Sequence, residues 1–365
     1  MKIGILTFHR AHNYGAMLQA YALKKVLCNM GHEVGFIGYR QDAIERAYKV
    51  IDFRRYTHTT LTVIVKIFIL RLFTFRRRFI RHSRFEKFRN KYLGEDIQIL
   101  ESDNEIKING LDAVIFGSDQ IWTTRFLGSF DDVYWGNLNV NQAKRIAYAP
   151  SMELKHLNED QIRYVKEHLG NFDCVSTREI GMQNLLASIQ NIQYPLVLDP
   201  TLLCTKEDYS EFFKNKKSKY LLLYQVGIDN TTLSVANYVA DILGLSIIEL
   251  TFEVALKVKN NVKDTVGPDT FVGLIKNADY VVTNSFHGTA FSVNFNIPFL
   301  SVLIPGREGR AKSLLETVKL EERGVYSTSD IKNLEMNTDD FDFPNQILRD
   351  ERKKSMDYLK KALEL

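Results

Sequence analysis

The chain has 365 residues, 45% of them hydrophobic and 25% charged, with a net charge of +4. That length is too great for one ordinary core and predicts two domains, and the composition excludes the disordered and fibrous classes. The cysteines Cys28, Cys174 and Cys204 are odd in number and widely spaced, which favours reduced thiols over a disulfide framework. The N-terminal residues read as a strand, not as a signal peptide, so we expect a cytoplasmic protein.

The first half of the chain alternates apolar strand patterns with helical spacing. A strand at 2–8, a helix at 15–27 and a strand at 33–39 predict a parallel sheet. Three further buried strands are expected in this half, at residues 112–116, 145–149 and 174–176. The proline-flanked stretch 195–203 is predicted to join the two domains.

The second half repeats this alternation. The patterns predict strands at 220–226, 246–251, 280–283 and 299–303. They predict helices at 231–243, 269–277, 287–295, 312–318 and 344–365. Two such α/β units indicate an α/β fold with two Rossmann-like lobes facing a cleft, where ligands bind at the carboxyl ends of the strands.

A basic insert at residues 40–91 interrupts the first unit. It carries 15 Lys and Arg residues against 4 Asp and Glu, a local net charge of +11 that leaves −7 for the rest of the chain. Within it, residues 61–70 (LTVIVKIFIL) are strongly apolar but fewer than the roughly 18–20 that span a bilayer. A helix on an anionic membrane surface and a buried helix with a solvated basic neighbour both fit. Nucleic-acid binding is a third interpretation, although no binding motif accompanies the charge.

The sharpest candidate site is T-N-S-F-H-G-T at residues 283–289, between an apolar strand and a helix. The amides of Gly288 and Thr289 are expected to be free donors at the helix start, suited to a phosphate or carboxylate. His287 carries a proton that moves near neutral pH. The alternative is a capped helix with a structural histidine.

Two other polar loops follow predicted strands. In G-S-D-Q-I-W, residues 117–122, Asp119 is suited to accept a proton from a sugar hydroxyl and Trp122 to stack on a sugar ring. The alternative is a turn cap beside a core tryptophan. The loop H-R-A-H-N-Y-G, residues 9–15, lacks the dinucleotide and P-loop patterns and is otherwise an ordinary polar turn.

Arginines also follow predicted strands. Arg178 comes after strand 174–176, and Arg307 and Arg310 come after strand 299–303. A guanidinium binds a carboxylate or phosphate through a bidentate fork, although a surface ion pair is the commoner fate of an arginine. His9 and His12 lack a framing carboxylate or thiolate motif, so we expect no metal site.

Taken in order, five stretches resemble the polysaccharide pyruvyl transferase family. They are GILTFHRAHNYGAMLQAYAL (4–23), VIFGSDQIW (114–122), VSTRE (175–179), VLDPTLL (197–203) and ADYVVTNSFHGTAFSVNFNIPFLSV (278–302). The resemblance implies two lobes arranged as in GT-B glycosyltransferases. It also implies phosphoenolpyruvate as donor substrate, a sugar ketal as product, released phosphate and no cofactor.

By position, the resemblance makes His287 the active-site histidine and Arg178 and Arg310 donor-binding cations, and the other roles are predicted from the chemistry of the loops. The acceptor is expected on the first lobe (1–204) and the donor on the second (205–343), with a terminal helix (344–365) expected to cross back. His287 and Asp119 are expected to be catalytic, His287 as proton donor or phosphate ligand and Asp119 as base. The expected donor-binding residues are Arg178, Ser285, Gly288, Thr289, Arg307 and Arg310, with Lys312 a rival to the last two. The expected acceptor-binding residues are Asn13, Tyr14, Gly15, Gln19 and Trp122.

Two other functions fit the same residues. One is a nucleotide-sugar-dependent GT-B glycosyltransferase, and the other is a catalytically silent glycan-binding protein. The expected partners are phosphoenolpyruvate, a sugar acceptor that is free or lipid-linked, and an anionic membrane at its inner face; nucleic acid is not expected. Convergence of Arg178, His287 and Arg310 in space is what would argue against the silent protein.

Overall fold

The computed structural model describes residues 1–41, 61–101, 108–124, 128–152, 157–213, 215, 218–251, 254, 261–334 and 338–364. Residues 42–60 of the basic insert lie outside this description, and so do the side chains of 61–70, the apolar stretch. Within the described ranges, no helix combines the length and apolar character needed to cross a bilayer. The three cysteines are all free thiols.

A parallel six-stranded sheet organises the first lobe. Its strands are β1 (Lys2–Leu6), β2 (Glu33–Arg40), β3 (Asp96–Glu101), β4 (Ala113–Phe116), β5 (Lys144–Ala147) and β6 (Cys174–Val175). They lie in the order β3-β2-β1-β4-β5-β6. The described residues of this lobe form four helices: α1 (Tyr14–Asn29), α2 (Leu61–Phe88), α3 (Glu159–His168) and α4 (Ile180–Gln190).

The second lobe repeats the arrangement. Its strands are β7 (Tyr220–Gln225), β8 (Ser246–Thr251), β9 (Val262–Lys263), β10 (Tyr280–Thr283), β11 (Phe299–Val302) and β12 (Gly324–Val325). They lie in the order β12-β11-β10-β7-β8-β9, and every neighbouring pair is parallel. Counted from its own first strand, each sheet has the Rossmann order 3-2-1-4-5-6. The predicted pair of Rossmann-like lobes is therefore confirmed.

Six more helices complete the described chain. They are α5 (Pro200–Leu203), α6 (Asn230–Leu243), α7 (Pro268–Asn277), α8 (Phe286–Phe295), α9 (Gly309–Val318) and α10 (Asp342–Glu364). Short 3₁₀ turns lie at Leu169–Asn171, Glu207–Phe212, Glu321–Arg323, Thr328–Asp330 and Thr338–Phe341, and a π turn at Arg89–Leu93.

Buried apolar side chains explain why these segments form central strands. All residues of β4, β7, β10 and β11 are buried, as expected of parallel strands covered on both faces. One hydrophobic cluster runs through both lobes and includes Tyr14 of α1 and Phe271 of α7, whose rings stack 4.8 Å apart. The lobes therefore share a core at their junction.

The terminal helix α10 packs against the segment that joins the lobes. Ser355 Oγ accepts a hydrogen bond from the Leu198 amide at 2.9 Å, and Arg352 Nε donates to the Leu202 carbonyl at 2.6 Å. At its far end, the Leu363 carbonyl accepts from Lys144 Nζ of β5 at 2.8 Å. We propose that the boundary between the lobes lies at residue 204.

Candidate active site

The loops after β4, β5 and β6 meet at one edge of the first sheet, as the carboxyl ends of parallel strands must. Ser118 and Asp119 follow β4, Ser151 follows β5, and Arg178 and Glu179 follow β6. All five side chains are buried. This edge is where an open α/β sheet binds its ligands.

Arg178 lies at the centre of the cluster. Its Nη1 donates to Asp199 Oδ2 and to Ser118 Oγ at 3.1 Å, and its Nε lies 3.5 Å from Glu179 Oε1. Burial alone lowers the pKa of the guanidinium, but the charges of Asp199 and Glu179 raise it above its usual value. Arg178 is therefore a fixed, fully charged cation.

Asp199 links this arginine to the histidine of the second lobe. Its Oδ1 caps the short helix α5, accepting from the Thr201 amide at 2.9 Å and from Thr201 Oγ1 at 2.6 Å. Its Oδ2 faces Arg178 and lies 3.8 Å from His287 Nε2. Burial raises the pKa of Asp199, but Arg178, His287 and the Thr201 bonds bring it below the usual range.

Sequence reasoning assigned no role to Asp199. An aspartate before a proline predicts a helix cap, and Asp199 is one. The pattern did not indicate that the second carboxylate oxygen lies between Arg178 and His287, because those residues come from other parts of the chain.

His287 is the second residue of α8, and Ser285 is the cap of that helix. The imidazole is buried, and burial lowers its pKa; the nearby charges of Asp199 and Asp119 oppose this shift. His287 is therefore neutral in the free protein at neutral pH.

The first lobe contacts this imidazole directly through a glycine. A Cβ on Gly15, at the start of α1, would lie 2.0 Å from His287 Nδ1. No side chain fits in that space, so the backbone of α1 forms one wall of the histidine site. Gly15, predicted to bind the acceptor, thus lies at the lobe interface against the catalytic candidate.

Gly15→Ala is expected to displace His287 and reduce activity by about a hundredfold, because misplacing a catalytic group by an ångström has that effect. Steady-state kinetics would measure the loss. Ala16→Gly, one position along α1, is the neighbouring control for backbone effects. Normal turnover in Gly15→Ala would mean that the position of His287 is unimportant.

The expectation that the amides of Gly288 and Thr289 are free donors is wrong. The Gly288 amide donates to Ser285 Oγ at 3.4 Å, and the Thr289 amide to the Ser285 carbonyl at 3.0 Å. Capping by Ser285 satisfies these groups. The amides of Phe286 and His287, in the first turn of α8, have no hydrogen-bond partner among the described residues and are the free donors at the helix start.

Arg310 is the cation of the second lobe that reaches this cluster. Its guanidinium carbon lies 6.0 Å from the centre of the Phe286 ring, and that of Arg178 lies 4.9 Å from the same ring. Burial, followed by the charge of Arg178, lowers the pKa of Arg310. Arg307 and Lys312 are exposed, so Arg310 is the second cation at the site.

Three buried polar atoms of the cluster have no hydrogen-bond partner among the described residues. They are Arg178 Nη2, Glu179 Oε2 and His287 Nε2. An unpaired buried polar atom costs roughly 1–3 kcal/mol, and such atoms are rare in proteins. Their grouping indicates a binding site for a polar ligand with an anionic part. Sequence reasoning had not singled out Glu179.

Asp119 lies beside this cluster, where the sequence predicted a base. Its Oδ1 accepts from the Gln120 amide at 2.8 Å, and its carbonyl accepts from the Ser151 amide at 2.9 Å. Its charge acts on both His287 and Arg310. The second oxygen, Oδ2, is engaged by no described hydrogen bond.

Three of the predicted acceptor-binding side chains lie in the core, which corrects their assignment. Trp122 is completely buried, stacked on Trp135 at 4.2 Å, and so does not reach a sugar. Tyr14 is also buried and donates to the Val266 carbonyl, and Gln19 donates to Thr7 Oγ1. The alternative of a core tryptophan was correct, because aromatic bulk favours burial.

Asn13 is the remaining acceptor candidate. It caps α1, with Oδ1 accepting from the Gly15 amide at 2.9 Å and the Ala16 amide at 3.3 Å. The side chain is half-buried. It therefore sets the direction of α1 towards His287, and a contact with acceptor stays a prediction.

The two early histidines each bind a carboxylate that the sequence did not associate with them. His9 Nε2 lies 2.7 Å from Asp96 Oδ1, and His12 Nε2 lies 3.0 Å from Glu86 Oε1. Each pair has one carboxylate and one imidazole. Across the described ranges, no group of three or more His, Cys, Asp or Glu residues is arranged to hold a metal ion.

The fold defines a class of protein: a two-lobed α/β protein of GT-B architecture, here with a cationic site where the lobes meet. UDP-N-acetylglucosamine 2-epimerase from Rickettsia bellii has this fold, with a TM-score of 0.52 and 11% identity over 100% of this chain and 97% of that one. The UDP-N-acetylglucosamine 2-epimerase from Methanocaldococcus jannaschii gives a lower TM-score of 0.47, with 13% identity over 95% of this chain and 92% of that one. The glycosyltransferase SsfS6 from Streptomyces sp. SF2575 gives a TM-score of 0.39, with 14% identity over 97% of this chain and 96% of that one.

The family model for polysaccharide pyruvyl transferase matches residues 13–304. The chain therefore belongs to the polysaccharide pyruvyl transferase family and is a transferase. The matched range contains α1, the loops after β4 to β6, and α8. Among curated proteins, none matches the chain.

Proposed function

We propose that this protein moves a pyruvyl group from phosphoenolpyruvate onto sugar hydroxyls of a surface polysaccharide or its lipid-linked precursor, forming a ketal. Convergence of Arg178, Arg310 and His287 from two lobes is the observation that carries the proposal. Their site has buried, unpaired polar atoms on Arg178 and His287. A catalytically silent protein has no need of such a costly arrangement.

Phosphoenolpyruvate matches the charges of the site. Its carboxylate and its phosphate ester are both attached to C2, and guanidinium groups bind both kinds of anion through charge-assisted hydrogen bonds. Arg178 and Arg310 lie on either side of the interface, near the same Phe286 ring. We assign one anionic group of the donor to each arginine, with the amides at the start of α8 as further donors.

The chemistry joins two sugar oxygens to one carbon. The first hydroxyl adds to C2 of phosphoenolpyruvate while the methylene carbon, C3, gains a proton and becomes a methyl group. The second hydroxyl then displaces phosphate, which leaves with the second proton, and no redox step or cofactor is required. In this scheme Asp119 accepts the hydroxyl proton and His287 protonates C3 or binds the phosphate.

His287 needs a bound anion to act as an acid, because burial keeps its pKa low in the free protein. A phosphate held within a few ångströms favours the charged imidazolium and raises the pKa. We therefore propose that donor binding brings a proton to His287. Positioning and fixed charge supply the rest of the rate enhancement.

A nucleotide-sugar glycosyltransferase remains the rival activity, and it shares the fold alone. Differential thermal denaturation distinguishes the two, since a ligand that binds only the folded state raises the midpoint. Phosphoenolpyruvate is expected to raise it, and UDP or GDP to leave it unchanged. A rise with nucleotide alone would transfer the assignment to the glycosyltransferase class.

Arg310→Met is expected to weaken phosphoenolpyruvate binding about tenfold to a hundredfold, the value of a charge-assisted hydrogen bond. Arg307→Met and Lys312→Met are the matched controls and should bind like the wild type, because both side chains are exposed. Calorimetric titration measures all three. Loss of binding in Arg307→Met with normal binding in Arg310→Met would reverse the assignment of the second cation.

A further inference from the structure

The helix α2 of the basic insert has an outward face with unusual chemistry. Phe73 and Phe79 are 77% and 57% exposed, and Phe75 is exposed as well. The Phe75 and Phe79 rings stack on each other 6.4 Å apart. Exposed cations accompany them along the same helix, at Arg76, Arg84 and Lys87. Three exposed phenylalanines within one short stretch are more than the scattered apolar residues of an ordinary surface.

The inward face of α2 is firmly attached to the protein. Phe85 and Phe88 are buried in the core that both lobes share. Arg81 Nη1 donates to Tyr14 Oη at 2.7 Å and lies 3.3 Å from the Asp264 carbonyl. Arg81 is thus a buried bridge between the lobes, unlike the solvated basic neighbour that one interpretation of the sequence proposed.

Further contacts join α2 to the same loop of the second lobe. Arg77 pairs with Asp264, and Arg84 Nη1 donates to the Thr265 carbonyl at 2.9 Å. Tyr14, the partner of Arg81, precedes the Gly15 backbone that contacts His287. A surface that holds α2 therefore holds both lobes close to the candidate active site.

We propose that the outward face of α2, with Phe73, Phe75, Phe79, Arg76 and Lys87, docks on an anionic bilayer surface. Phenylalanine rings enter the boundary between headgroups and acyl chains, and adjacent Arg and Lys side chains bind anionic headgroups. Among the described residues of α2, the exposed cations Arg76 and Lys87 supply charge that is complementary to such a surface. The opposite face stays packed, so the helix lies along the membrane while the lobes remain intact.

The docking surface adds an anionic membrane as a partner, and the benefit of this binding rests on the proposed function. A lipid-linked sugar is confined to the bilayer, so an enzyme docked through α2 works at the concentration of its acceptor in the membrane. The physical binding itself does not depend on which reaction the cleft performs.

Co-sedimentation with vesicles tests the surface directly. The full chain is expected to bind vesicles of phosphatidylglycerol and phosphatidylcholine, to bind pure phosphatidylcholine much more weakly, and to dissociate at high ionic strength. The double variant Phe75→Ser, Phe79→Ser should bind at least about tenfold more weakly. Arg76→Glu should have an effect of similar size on anionic vesicles alone.

Phe343→Ser is the matched control, because Phe343 of α10 is 61% exposed and is flanked in the sequence by Asp342 and Pro344 and not by a basic residue. It should bind vesicles like the wild type. Equal binding by the Phe75 and Phe79 double variant would overturn the proposal, as would equal binding of the wild type to neutral vesicles. A dimer in solution that the double variant dissociates would assign the face to a second copy.

The thermal shift with phosphoenolpyruvate separates this result from the proposed function. The α2 surface variants should keep the full shift, since their side chains lie outside the cleft. Vesicle binding without any donor shift in the wild type would leave the docking surface standing and remove the pyruvyl transfer. A thermal shift with phosphoenolpyruvate but no vesicle binding would overturn the docking surface and leave the proposed pyruvyl transfer standing.

Discussion

A His287→Gln variant is expected to lose about a hundredfold to ten-thousandfold in turnover, the usual contribution of a positioned acid or base. Glutamine retains polarity in the buried pocket but carries no transferable proton in this pH range. Phosphate release from phosphoenolpyruvate with acceptor polysaccharide measures the effect. His168→Gln is the control: that histidine stacks on Tyr164 in α3, outside the cluster, and should be replaceable.

Proton uptake distinguishes an acid from a structural histidine. If donor binding protonates His287, calorimetry in buffers of different ionisation enthalpy will detect uptake in the wild type and less in His287→Gln. The lowered pKa of His287 in the free protein also sets how the stability of the protein changes with pH. The unfolded chain, with a histidine pKa of about 6.5, binds the proton first as the pH falls.

The contribution of neutral His287 to stability is therefore complete above about pH 6.5 and is lost as the pH falls below it. Urea unfolding should show the wild type losing more stability than His287→Gln between neutral and mildly acidic pH. Parallel curves for the two proteins, together with equal proton uptake, would mean that His287 does not titrate in the cleft.

The positions of most strands followed from apolar runs in the sequence, although β3 (Asp96–Glu101) was not predicted. The strand predicted at 280–283 is β10, and the helix predicted at 15–27 lies within α1 (Tyr14–Asn29). The two-residue strands β9 and β12 are too short to show a period. The helices α3 and α4 were not predicted. In α3 only Val165 is buried, so the sequence shows little apolar periodicity there.

Prediction of the site had a different limit. Arg178 and His287 stood out because a cation or imidazole after a strand suggests chemistry. Trp122 stood out because it also follows a strand, but it lies in the core, since a position at the end of a strand does not by itself reveal burial. Asp199 and Glu179 were not identified, because their roles depend on contacts between distant segments. Local sequence indicates helix caps and hydrophobic periodicity, whereas the pairing of buried charges depends on tertiary structure.

Asp199→Asn is expected to destabilise the protein by about 3 kcal/mol, the lower end of the cost of breaking a buried ion pair. Asparagine still accepts the Thr201 bonds that cap α5, so the loss falls on the charge facing Arg178 and His287. The Arg178 guanidinium, no longer held by the Asp199 carboxylate, should also bind phosphoenolpyruvate more weakly. Urea unfolding and calorimetric titration measure these two effects.

Asp229→Asn supplies the matched control. Asp229 caps α6 and accepts from the Thr232 amide and Thr232 Oγ1 at 2.7 Å each, the same pair of bonds that Asp199 accepts from Thr201. Asparagine is as good a cap as aspartate, so this variant should be nearly neutral. Equal losses in Asp199→Asn and Asp229→Asn would assign Asp199 to capping alone.

The pH dependence completes the test of Asp199. Its folded pKa is below the usual range, so its contribution is present above the unfolded value of about 3.9 and is lost as the pH falls through the folded value. The stability difference between wild type and Asp199→Asn should therefore be largest at neutral pH and shrink in acid. A difference that is independent of pH would mean that shape, not charge, is what Asp199 contributes, and that Arg178 is held by Ser118 and Glu179 instead.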